Sequence, residues 1–146
     1  MAMTDFKVEF GRPSNGWLSV CVESASGRSQ QDVSDVPGDT LSELARALTR
    51  LASSSSHEEI EWALEPELWL WRFTADDDHL QLSITVLEET VEHWVPKRLA
   101  LRQFCSSLLK LGQDPAWSRD DAMSTAWSWE FPHRNVAELS EVTVDA

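Results

Sequence analysis

Three groups of side chains have the types and spacing that could support chemistry. Asp76, Asp78 and His79 sit close together, and carboxylates with an imidazole are ordinary ligands for a divalent ion. Their spacing specifies no metal, and the turn preference of aspartate makes a solvated hairpin turn the simpler account. Glu61, Glu65 and Glu67 lie near Trp62, Trp69 and Trp71. Aromatic platforms beside paired carboxylates are what a glycosidase needs, although paired acids arise readily in so acidic a segment. Lys97, Arg98 and Arg102 crowd the start of an expected helix, where positive charge opposes the helix dipole. They could build a small-anion site with free backbone N–H groups. The simpler account is that Glu88, Glu89 and Glu92, just upstream, fold back and pair with them.

No further motif fixes a reaction. The five glycines, at 11, 16, 27, 38 and 112, are scattered and form no phosphate loop. The chain lacks Gly-x-Ser-x-Gly, His-Glu-x-x-His and paired Cys-x-x-Cys. His57, His79, His93 and His133 stand apart from one another. Cys21 and Cys105 lack metal-ligand spacing, and each falls in an apolar pattern that suits a buried thiol. A disulfide between them is open but unforced without a secretion signal. The expectation is no catalytic residue, no cofactor and no metal.

The elements that would position these groups can be read from periodicity. Phe6, Val8 and Phe10 alternate with Lys7 and Glu9 as in a half-buried strand. Residues 11–16 are dense in turn formers, and a second strand follows at 17–23. Residues 24–38 read as a loop. Thr40 with Glu43 forms a capping box, and Leu41, Leu44, Ala45, Leu48 and Leu51 give one helical face. The serines at 53–56 end that helix. Residues 58–87 read as three strands with turns at Glu65-Pro66 and at Asp76–Asp78. Pro96 suits the first turn of a second helix. Its stripe is Leu101, Phe104, Cys105, Leu108 and Leu111, and Gly112 suits its stop. Ser118 could cap a short helix through about Ala126, or Trp127, Trp129 and Phe131 could alternate as a strand, and the pattern does not choose between the two. The expected fold is α+β: an antiparallel sheet of about five strands in ββαβββα order, with two helices on one face. One domain spans 1–132, and 133–146 forms a loose arm.

Composition narrows the function. The 146 residues carry a formal charge of −13, and eight Trp stand beside no Tyr. Residues 51–95 hold eleven acids against Arg72 alone. Such a surface repels a phosphate backbone and an anionic leaflet, and it steers a cationic protein. The same charge also serves solubility. The N-terminus has no basic region followed by an apolar one, and no stretch is apolar enough to span a membrane. A cytoplasmic protein is expected.

Along residues 67–73, Glu67, Trp69, Trp71 and Phe73 share one face, and Leu68 and Leu70 share the other. If the leucines face the helices, Trp69 and Trp71 lie on the open face of the sheet, with Trp17. An exposed aromatic patch rimmed by Glu61, Glu67, Asp76, Asp77 and Asp78 would be a protein-binding hot spot. The opposite placement sends the tryptophans into the core. The open face also leaves room for a homodimer.

In its size, its ββαβββα order, its Leu41–Leu51 helix, its Trp62-to-Phe73 hairpin and its acidic middle, the chain resembles small Trp-rich bacterial immunity proteins. Those proteins act beside secreted or contact-delivered toxins. The resemblance spans roughly residues 5–112 and is one of pattern, with no residue carried over by position. It implies a non-catalytic protein that occludes a basic partner such as a toxin. The alternatives are a small-ligand or carbohydrate-processing enzyme using the acid and Trp cluster, and a self-associating structural subunit.

Overall fold

In the computed structural model, which describes residues 6–118 and 126–144, the alternating segments become one antiparallel sheet. Its strands are β1 (Phe6–Phe10), β2 (Trp17–Ser24), β3 (Gly27–Ser34), β4 (His57–Ala63), β5 (Leu68–Ala75), β6 (His79–Val86) and β7 (Glu89–Pro96), and they lie side by side in chain order. Helix α1 (Thr40–Ser53) joins β3 to β4. Helix α2 (Lys97–Gly112) follows β7, and α3 (His133–Val144) ends the described chain.

The α+β class and the antiparallel sheet stand as expected, but the described residues form seven strands and three helices. Two strands escaped periodicity. β3 is nearly all polar, and only Ser29, Val33 and Ser34 of it are buried. Main-chain pairing makes it a strand, since all eight of its residues align with β2. β7 carries Val91, His93 and Val95 inward, and all eight of its residues align with β6. The capping box is also revised. Asp39 is the N-cap of α1, and its Oδ1 accepts from Ser42 N at 3.3 Å while its Oδ2 accepts from Ser42 Oγ at 2.6 Å. α2 ends at Gly112 as expected. A Cβ there would lie 2.5 Å from the Phe131 ring, so glycine lets the two meet.

The expected loose arm is the largest revision at the C-terminus. Residues 133–144 form α3, which packs against α1 and α2. Val136, Leu139 and Thr143, at helical spacing, are its buried positions. A stripe of only two large apolar side chains in a polar stretch is weak in sequence, although it suffices once two helices supply the groove. Leu139→Ala is expected to destabilise the protein by roughly 2–5 kcal/mol in urea unfolding. A loose arm would give a value near zero. Trp127, Trp129 and Phe131 form no strand. Most of the short helix expected at 118–126 falls on 119–125, outside the described residues; Pro115–Ser118 is one 3₁₀ turn.

The sheet curls. β3 meets β4 through one pair, Ser34 with Ala63, and β7 comes round against β2 and β3. The concave side is the core. Phe104 of α2 packs there on Phe6, Trp71 and Phe73, with ring centroids 5.7–6.1 Å apart. Cys21 and Cys105 are free thiols.

Candidate functional site

The strand that was to present the tryptophans is turned the other way. Trp69, Trp71 and Phe73 are buried, facing Ile60 and Trp62 of β4 and Leu82 and Ile84 of β6. Apolar area decides the parity. Two indoles and a phenyl ring withdraw far more surface from water than Leu68 and Leu70 would, at ~25 cal/mol per Å². The leucines therefore go outward, and Leu68 is 51% exposed. Trp17 does stay on the outer face, 39% exposed. The three tryptophans expected together are split. So is the expected sugar cleft, with Glu61, Glu65 and Glu67 exposed and Trp62, Trp69 and Trp71 in the core.

What remains open is the convex face of β4–β7. The register sets Glu59, Arg72, Ser83 and Glu92 in one row, and Glu61, Leu70, Thr85 and Thr90 in the next. Few of its acids are neutralised. Glu59 meets His57 at 2.9 Å and Arg72 at 3.8 Å. Glu58, on the opposite side of β4 with Ile60 and Trp62, receives Arg50 at 2.7 Å, which holds its carboxyl below the ordinary range. Among the described residues, no other acid between 51 and 95 lies within ion-pair distance of a base. The expected pairing of Glu88, Glu89 and Glu92 with Lys97, Arg98 and Arg102 is therefore absent at that distance.

The face has two ends. At one, the β5–β6 turn carries Asp76, Asp77 and Asp78. Asp76 Oδ1 accepts from His79 N at 2.7 Å and Asp78 N at 2.8 Å, and these bonds hold its carboxyl below the usual range. Asp76 therefore builds the turn, and Asp77 and Asp78 face solvent. Among the described residues, no three His, Cys, Asp or Glu side chains are grouped to hold a metal ion. His79 stacks on Trp94 at 5.2 Å and 24°, and Trp94 is 49% exposed.

At the other end the β4–β5 and β6–β7 turns lie together. Leu64 N donates to Glu67 O at 2.8 Å across the first. The second joins the paired residues Val86 and Glu89 through Leu87 and Glu88 alone. The β5–β6 register ends at the Trp69–Val86 pair, so Leu68 and Leu87, the next residue along each strand, stand at the same end, and Leu87 is 76% exposed. Glu61, Glu65, Glu67, Glu88 and Glu89 are exposed at this end. Sequence reasoning missed Leu68, Leu87 and Trp94. The signal was present in Leu87, a large apolar residue directly before two acids, Glu88 and Glu89.

One buried polar group belongs to the core. His93 of β7 is fully buried. Its Nδ1 lies 2.7 Å from Ser24 Oγ on β2, and its Nε2 lies 3.2 Å from Ser29 Oγ on β3. The imidazole thus ties the curled edge of the sheet to the strands it meets. Burial pushes its pKa down from the ordinary value. The unfolded chain then takes up a proton at higher pH than the folded one, so stability is full above about pH 6.5 and falls as pH drops below it. Between pH 7.5 and 5.5, wild type is expected to lose stability that His93→Gln does not lose. Urea unfolding at both values, showing equal losses, would contradict this placement.

Comparison with protein-family models, with curated proteins and with solved structures returns no match. Among the described residues, no helix is long and apolar enough to cross a membrane.

Proposed function

We propose that this is a non-catalytic binding protein whose convex β4–β7 face docks a cationic protein, as an immunity or inhibitor protein docks a toxin. The observation that carries this reading is the face itself. Glu61 and Glu92 on it, and the acids of the turns at its ends, have no base within ion-pair distance among the described residues, and Leu68, Leu87 and Trp94 are exposed beside them. Apolar anchors within a polar rim are the anatomy of a recognition surface. Uncompensated acids accelerate encounter with a basic partner.

The carbohydrate-processing alternative needs platforms and acids on one surface, and the sheet parts them. Self-association across this face would set like charges against each other. The test is the association rate with the bound partner as ionic strength rises. A strong fall supports the reading, and an unchanged rate removes its electrostatic basis.

A further inference from the structure

We infer that the partner docks at the Leu68–Leu87 end of the face, seating an apolar side chain flanked by Lys or Arg on the leucine pair. This rests on the binding role proposed above and narrows it to one end and one partner chemistry.

Leu87 is the telling residue. Its φ is 55°, in the left-handed region that a bulky L-residue adopts only at a cost, and glycine is the natural occupant of such a turn. Its side chain is the most exposed of the large hydrophobic residues described. Folding gives no reason for leucine at this position. Both conformation and solvation favour a smaller residue, while a binding role accounts for exposing an apolar one there. Glu65, in the neighbouring turn, is likewise left-handed at φ 57°, so two strained turn residues stand at one end. Leu68 extends the apolar spot.

The surrounding carboxylates choose the occupant. Glu61, Glu67, Glu88 and Glu89 lie at this end with no base within ion-pair distance among the described residues. A second copy seated on the same spot would double that negative charge in a closed interface. A segment carrying Lys or Arg on either side of an apolar residue satisfies both components. The Asp76–Asp78 end is less suited, because Asp76 is committed to its own turn and Trp94 to His79.

The experiment is an amide chemical-shift titration of the full chain with a capped peptide of alternating lysine and leucine, and with its lysine–serine counterpart, at low salt. The leucine peptide should bind roughly ten-fold more tightly, with shifts centred on residues 64–68 and 86–90. Leu87→Gly should lower its affinity by a similar factor while the melting temperature holds or rises, which separates lost contact from lost fold. Equal affinity of the two peptides, or unchanged binding by Leu87→Gly, would overturn the leucine anchor. Salt-sensitive shifts confined to Asp76–Asp78 and Trp94 would overturn this docking end while leaving the cationic-partner reading in place. No salt-sensitive binding of either peptide would sink both. Sedimentation showing a dimer that Leu87→Gly dissociates would assign the spot to a second copy instead.

Discussion

Trp71→Ala is expected to cost about 3–5 kcal/mol, the range for deleting a fully buried large aromatic side chain. Trp71 has no exposed surface. Its ring meets Trp62, Trp69, Phe73 and Phe104, with centroids 5.2–6.3 Å away, so it couples β4 and β5 to α2. Removing it opens a cavity with walls on a sheet and a helix, and neither can close far. Domains of this kind have roughly 5–15 kcal/mol of stability in all, so the loss would be a large fraction of the whole. Trp71→Phe should cost much less. Trp71 Nε1 is buried without a hydrogen-bond acceptor among the described residues, and phenylalanine removes that donor while keeping a ring. Leu68→Ala, one face over, should stay within about 0.5 kcal/mol of wild type because it empties no core. Equilibrium urea unfolding of the three variants reads the strand's orientation directly. Should Leu68→Ala prove the severe variant and Trp71→Ala the mild one, β5 would face the other way.

That inversion shows where legibility ended. Alternation along 67–73 fixes which side chains travel together but not which set goes inward. The choice goes with the larger apolar area, summed over β5 and its neighbours across the sheet, where Ile60, Trp62, Leu82 and Ile84 add to the wall of Trp69, Trp71 and Phe73. Strands with strong alternation, such as β1, β2 and β6, were readable, and so were α1 and α2 from their stripes. β3 and α3 were not, for a common reason. Both are made by tertiary context: β3 by a neighbour that takes up its backbone groups, and α3 by a groove between two helices. The acidity of the middle segment was plain in the sequence. That Glu59, Glu61 and Glu92 share the uncovered face, while most of the other acids stand in the turns at its two ends with two strained residues at one of them, required the register.

The second large effect expected is on association. Replacing Glu61 and Glu67 with glutamine and Asp77 and Asp78 with asparagine removes four negative charges from the face and its rim without touching the core. Asp76 is kept, because its carboxylate holds the β5–β6 turn. Long-range attraction acts before contact, so the loss should appear in the encounter rate, by about ten-fold or more at low ionic strength. Dissociation should change little, since it is governed by close contacts, and Leu68 and Leu87 are retained. A variant that dissociates faster while associating normally would move these acids from steering into direct contact.

The most direct test of the cationic-partner claim is stopped-flow association of the wild-type protein with its captured partner at two ionic strengths. Raising salt from about 0.01 M to about 1 M shortens the Debye length from roughly 30 Å to roughly 3 Å, which extinguishes steering between exposed charges. The convex face, with its unneutralised carboxylates, predicts an association rate that falls by more than ten-fold while the dissociation rate stays nearly constant. An association rate that ignores salt, or that rises with it as for a like-charged pair, would contradict a cationic partner and leave the acidity to solubility alone.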